Sequence, residues 1–223
     1  MRYNYNEVIY VNALIEKTMK NIEKNNMNAF YAETKEDVIP LVEKLVEEGS
    51  SVAVGGSVTL NELGMLDHLR SGRYNFVDRY TPGLSTDEIY DVFVKSMGVD
   101  AYFCSSNAVT EEGELYNVDG NANRIAAIAF GPKKVIMIVG TNKIVKNIDE
   151  AVKRVKTVAA PKNAVRLSCK TFCAVKGHCV DMEGGVGKGC DSPERLCRHY
   201  LVSEKQKYVG RINVIFVNEE LGY

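Results

Sequence analysis

Five groups of residues have the types and spacing to do chemistry. Gly55-Gly56-Ser57-Val58-Thr59 follows the apolar run Ser51 to Val54 and opens a helical pattern. Glycines there let backbone approach a ligand, and the free N–H groups of the next turn, with the Ser57 and Thr59 hydroxyls, suit a phosphate or carboxylate. The same residues also read as a tight turn in which Ser57 merely caps a helix. The polar stretch Ser105-Ser106-Asn107-Ala108-Val109-Thr110-Glu111-Glu112-Gly113 follows a second apolar run. A carboxylate in such a loop acts as general base, acid or nucleophile once a partly closed pocket raises its pKa, or else belongs to a solvated acidic turn. Asn117-Val118-Asp119-Gly120-Asn121-Ala122-Asn123-Arg124 gathers polar side chains at the start of a short apolar helix. Asp119 could cap that helix and Arg124 could grip a carboxylate or phosphate bidentately; capping accounts for one or two of these residues, not all. Thr141-Asn142-Lys143 lies just past the run Val135 to Val139, where Lys143 offers a point charge to an anion or stands as an ordinary surface lysine.

The cysteines form the other group. Five of the six fall between Cys169 and Cys197. Cys173, Cys179, Cys190 and Cys197 could together hold zinc or an iron–sulfur cluster, stabilising a segment with little apolar content of its own. The alternative is a set of reduced thiols. No CxxC pair is present, so the spacing is not diagnostic; Cys169, His178 and His199 are substitute ligands, and His68 lies in a helical pattern. Gly184-Gly185-Val186-Gly187-Lys188-Gly189 imitates part of a nucleotide-binding loop, but glycine follows the lysine and no strand precedes it. It reads as a flexible insertion between two cysteines.

Elements must position these groups. Val8, Val11, Leu14, Ile15, Met19 and Ile22 fall at helical spacing, predicting an N-terminal helix over residues 1–26. Thr34 with Asp37 starts a second helix that Gly49 closes. Strands are then expected at 51–54, 74–77, 99–104, 135–139 and 211–217, with helices at 59–69, 85–97 and from Asn147 onward. Strands alternating with helices imply an α/β fold with an open, mainly parallel sheet covered on both faces. Two stretches break the rhythm, 105–124, polar around the short strand-like piece Leu115 to Val118, and the Cys-rich segment 167–200, and loops at strand ends are where function concentrates. The chain is expected to form one domain over 1–223, with 167–200 as a small subdomain within it.

Composition narrows the function classes. The chain has 223 residues, 45% hydrophobic and 26% charged, as expected of a globular protein. Its 28 Lys+Arg against 29 Asp+Glu give a formal charge of -1, so no basic field exists to hold nucleic acid or anionic lipid. No apolar run reaches the roughly 18 residues that span a bilayer, and the polar start does not resemble a signal peptide, so a cytoplasmic location is expected. No flavin or nicotinamide fingerprint is present.

As a set, the motifs resemble the lactate-utilization (LUD) domain family. The residues that carry the resemblance are Gly55 to Leu60 with Glu62 and Gly64, Ser106 to Glu111 with Gly113, Asn117 to Asn121 with Asn123-Arg124, Gly131-Pro132, Gly140 to Val145 and Ala159-Ala160-Pro161. The resemblance runs from the first helix to the tail at 214–222. It implies the fold of glucosamine-6-phosphate deaminase, ribose-5-phosphate isomerase and coenzyme A transferases, with a ligand site at the strand ends. It implies a role in oxidising L-lactate to pyruvate beside an iron–sulfur partner subunit. It also selects Glu111 over Glu112. The Cys-rich tail is similar to that of a family subset whose middle two cysteines are two residues apart; here Cys179 and Cys190 are ten apart. A flexible loop absorbs such length at small entropic cost.

The resulting expectation is a small anionic ligand bound between Gly55, Gly56, Ser57 and Thr59, the loop carrying Ser106, Asn107, Asp119, Asn121, Asn123 and Arg124, and Asn142 with Lys143. Glu111 is the candidate acid/base. Two other classes stay open: a non-catalytic ligand-binding or regulatory subunit, and an isomerase or CoA-transferase-like enzyme acting on a sugar phosphate or thioester.

Overall fold

The computed structural model describes residues 5–223, and side chains from residue 12 onward. The chain enters through α1 (Tyr5–Lys24), whose Ile15 and Ile22 are buried while Met19 packs beside them. The predicted helix at 1–26 is therefore present over its described part; residues 1–4, and the side chains of Val8 and Val11, lie outside the described residues.

The main sheet has six strands, all parallel: β1 (Asn28–Ala32), β2 (Ser51–Val54), β3 (Asn75–Val77), β4 (Ala101–Cys104), β7 (Lys134–Gly140) and β10 (Ile212–Val217), in the order β1-β10-β7-β4-β2-β3. Its inner strands are near-continuous apolar runs because both faces are covered. In β4, Ala101 and Phe103 face one core and Tyr102 and Cys104 the other; in β7, Ile136 and Ile138 face the first and Val135, Met137 and Val139 the second. The first core is closed by α2 (Val38–Leu45), α3 (Val58–Glu62) and α4 (Met65–Arg70), the second by α1 and α6 (Asn123–Ala129). Helix α5 (Thr86–Lys95) returns the chain from β3 to β4. From β2 the chain moves outward to β3, and from β4 onward it moves the opposite way, to β7 and then β10. The switch point thus falls between β2 and β4, where open sheets of this kind leave a crevice at the strands' carboxyl ends.

The expected strands and helices are present with shifted ends. The helix expected at 59–69 is two, because Gly64 adopts φ 63° and starts α4 in a new direction. The strand expected from Val99 begins at Ala101, since the Asp100 carboxylate accepts hydrogen bonds from the Ser51 N–H and hydroxyl. The Thr34–Asp37 capping box forms, and Asn147 caps α7 (Ile148–Arg154).

The larger difference lies in the stretch 105–124. There the chain builds β5 (Ala108–Thr110) and β6 (Leu115–Asp119), which join β8 (Ile144–Val145) and β9 (His199–Ser203) in a second sheet, ordered β8-β5-β6-β9. Strands β6 and β9 run antiparallel, pairing Asp119 with His199, so the Cys-rich segment ends against the loop that carries the candidate site. Helix α7 packs on this sheet through Ala151 and Val152, and the residue after it, Val155, joins the same cluster. A π-helical turn (Val155–Ala159) joins α7 to α8 (Ala160–Arg166), and α9 (Phe172–Lys176) follows. No helix among the described residues is long and apolar enough to cross a membrane.

Candidate functional site

The carboxyl ends of β2, β4 and β7 open into a cavity of about 210 Å³. It is bordered by Gly56, Ser57 and Thr59 after β2, Ser106 and Asn107 after β4, Asp119, Asn121, Asn123 and Arg124 around the start of α6, and Lys143 after β7. Segments far apart in sequence are thereby brought together as expected. The π turn supplies Val155 and Ala159 to the wall; such turns displace side chains from their α-helical positions and recur at functional sites.

Lys143 is buried, at 2% exposure, and its Nζ donates to Thr59 Oγ1 at 2.7 Å and Ser105 Oγ at 2.9 Å. The Thr59 and Ser105 hydroxyls also approach the carbonyls of Leu221 at 3.3 Å and Ser106 at 3.4 Å. Burial, reinforced by the Arg154 and Arg124 guanidiniums, lowers the Lys143 pKa to about 7.

Arg124 occupies the centre of the loop at 105–124. Nε and Nη2 meet Asp119 Oδ1 at 3.0 and 2.7 Å, Nη1 reaches the Ser105 carbonyl at 3.0 Å and the Asn117 side chain, and Nη2 reaches Asn107 Oδ1 at 2.8 Å and the Val118 carbonyl at 3.0 Å. A guanidinium has five N–H donors. All five are engaged by the protein, so Arg124 fastens three strand ends together rather than offering a free fork to a ligand. Asp119 Oδ2 accepts from the Ile125 N–H at 2.9 Å, capping α6, while Ala122 takes φ 62° between Asn121 and Asn123. Close approach of this cluster to β2 requires Gly55: a Cβ there would lie 3.0 Å from the Tyr102 hydroxyl and 3.1 Å from Arg124 Cδ. Gly55 therefore serves packing behind the cavity wall.

Other expected residues have local partners. Ser57 accepts from the Leu60 N–H as a helix cap while bordering the cavity, and Ser106 Oγ donates to the Ala108 carbonyl. Asn142 lies outside the cavity wall; its side chain holds the tail through the Leu221 N–H and the Gly222 carbonyl. Glu111 is also outside that wall. Its carboxylate meets Lys17 Nζ at 2.7 Å and its carbonyl accepts from Asn21 Nδ2, so it ties α1 to the second sheet.

Arg79, Arg166 and Tyr223 border the cavity and carried no motif. Arg79 lies over the rings of Tyr80 and Phe93, and Arg166 bonds the Tyr223 hydroxyl and Asn163. Neither guanidinium has a carboxylate partner among the described residues. The available signal was positional: Arg79 follows a short strand, and Arg166 ends a helix that follows Ala159-Ala160-Pro161.

The four cysteines singled out by spacing border a second, smaller cavity together with Tyr116, Lys156 and Tyr200. Cys169, His178 and His199 do not border it. Burial raises the Cys173 thiol, and Arg195 ties the segment by donating to the carbonyls of Cys190 and Cys197. The cysteines are thiols rather than disulfides, and among the described residues no three His, Cys, Asp or Glu side chains stand close enough to hold a metal ion. Cys197 borders both cavities.

An open parallel α/β sheet with a polar, cation-rich cavity at its switch point defines the class. Within that class, the chain belongs to the LUD domain family, whose profile matches residues 15–217. A DUF162 family protein from Deinococcus radiodurans is similar in structure at 15% identity, with 94% of this chain and 97% of that chain covered and a TM-score of 0.49. Weaker similarity extends to eIF2B beta from Chaetomium thermophilum, at 15% identity, 55% and 42% coverage and TM-score 0.37. For eIF2B delta from the same organism the values are 16%, 62%, 53% and 0.35. No curated protein matches the chain.

Proposed function

We propose that this LUD-domain chain binds a small carboxylate in the cavity at the ends of β2, β4 and β7, and takes part with partner proteins in oxidising L-lactate to pyruvate. The charge of the cavity carries the reading. Arg79, Arg124 and Arg166 border it against a single side-chain carboxylate, Asp119, and that carboxylate is spent on Arg124. An anion entering such a cavity meets uncompensated positive charge at Arg79 and Arg166, where guanidiniums suit a planar carboxylate. The volume of about 210 Å³ suits a ligand of a few heavy atoms. Lacking any flavin or nicotinamide fingerprint, the chain would draw on an iron–sulfur partner subunit for the redox step.

Calorimetric titration of the whole chain with L-lactate and pyruvate, beside the neutral amide of each, tests the proposal. Binding of the acids but not the amides is expected, weakened about tenfold by Arg79→Gln or Arg166→Gln, the size of one charge-assisted contact. Equal binding of acid and amide, or none of either, would overturn it.

For the second cavity the reading is a soft metal, zinc or an iron–sulfur cluster, held by Cys173, Cys179, Cys190 and Cys197. Four sulfurs bordering one small space is the supporting observation, and thiolates are the donors those metals favour. When bound, zinc would brace the segment, whereas a cluster would supply electron transfer. Coordination would require the thiols to draw closer than they stand here. Anaerobic purification with elemental analysis should find one zinc, or iron with sulfide, per site, and Cys190→Ser should lose it. Metal-free protein in which Cys173, Cys179, Cys190 and Cys197 are all open to alkylation would overturn the assignment.

A further inference from the structure

We propose that Lys143 is an amine nucleophile that condenses with the carbonyl carbon of a small 2-oxo acid, holding it in the cavity as an imine. The inference rests on the reading of the cavity as a carboxylate site and names both the ligand class and the atom that reacts with it.

The hydrogen bonds of Lys143 carry the argument. Its Nζ gives one bond to Thr59 and one to Ser105, both at ordinary lengths. A neutral amine has two N–H groups and one lone pair. With both N–H groups committed, the lone pair is what the nitrogen has left for the cavity it borders. An ammonium in the same place would sit at 2% exposure with two hydroxyls and no carboxylate to balance its charge.

The surroundings favour the same form. Facing the amine are Arg154 of α7 and Arg124 of α6, which disfavour the ammonium, and Glu62 of α3 and Cys104 at the end of β4, which act more weakly the other way. Arg124 is spent on Asp119, and Arg154 donates to the carbonyls of Asn142 and Asn107. No carboxylate forms an ion pair with Lys143 among the described residues, and desolvation beside another cation is a recognised way to free a lysine amine.

The step balances without an oxidant. The nitrogen lone pair forms the bond to C2 as the C=O π pair moves to oxygen, which takes up a proton. Nitrogen loses a proton, and the hydroxyl leaves as water once a second proton reaches it. The product is an imine protonated at nitrogen, which restores a positive charge beside the carboxylate; the net reaction is amine plus 2-oxo acid plus one proton to iminium and water.

Reductive trapping tests this. The whole chain is incubated with pyruvate or glyoxylate and cyanoborohydride, its intact mass is measured and the adduct is mapped by peptide digestion. One adduct per chain, on the peptide containing Lys143, is expected, with the adduct lost in Lys143→Met and Lys143→Arg. Trapping should rise with pH through about 7, where the amine loses its proton, well below the range of surface lysines. Mapping of the unsubstituted protein decides the matter even where a variant fails to fold. Binding of pyruvate in calorimetry without an adduct at Lys143, or adducts scattered over surface lysines, overturns the imine alone. Absence of binding by both 2-oxo acids overturns the carboxylate reading and the imine together.

Discussion

Two charged residues marked by the sequence, Arg124 and Glu111, have opposite structural weight. Arg124 is buried with every donor engaged, so Arg124→Gln leaves Asp119 buried without its counter-charge and should cost about 3–5 kcal/mol of stability, the range for breaking a buried ion pair. Glu111 pairs with a half-exposed lysine on α1, and Glu111→Gln should cost under about 1 kcal/mol. Denaturant unfolding checks both values. Because Glu111 lies outside the cavity wall, its variant should bind pyruvate as tightly as the unsubstituted chain, which the same calorimetry checks. Residue types pointed to Asp119 and Arg124 at a helix start and to the acidic loop after a strand, whereas the family resemblance singled out Glu111 within that loop. What a sequence does not carry is how many donors a guanidinium has already spent, or that a lysine after a strand has been folded inward under two hydroxyls. Arg79 and Arg166 stayed hidden for the same reason: each looks locally like an ordinary surface charge.

At the scale of elements, legibility followed length and apolarity. Runs such as Val135 to Val139 and Ser51 to Val54 are bounded by turns and buried on both faces, so their pattern announces them. The second sheet is built differently. Its strands β5, β6, β8 and β9 have two to five residues, mix Asn, Asp, Thr and His into the pattern, and, apart from the local β5–β6 pairing, find partners far along the chain. Such strands exist because of tertiary pairing, which leaves little local trace. The turn between β5 and β6 also seats α1. Gly113 has φ 87°, and a Cβ there would lie 2.7 Å from the Asn21 carbonyl carbon. Gly113→Ala should therefore be destabilising by about 1–3 kcal/mol, through backbone strain and displacement of α1 together. A lowered unfolding midpoint with earlier hydrogen exchange in α1 than in β7 is the expected result.

Across the whole molecule, the strand order β1-β10-β7 places residues 212–217 between the first strand and the rest of the main sheet. During synthesis the ribosome releases β1 long before its neighbour exists. Until β10 emerges, β1 has an open edge and α1 can cover only an unfinished face, while β2, β3, β4 and β7 can already assemble beside one another. A nascent chain halted short of residue 212 thus exposes an apolar strand edge that invites pairing with other chains. Completion of the sheet is a single insertion that joins β1 to β7 at once, so vulnerability to misassembly is concentrated in the interval before that strand arrives.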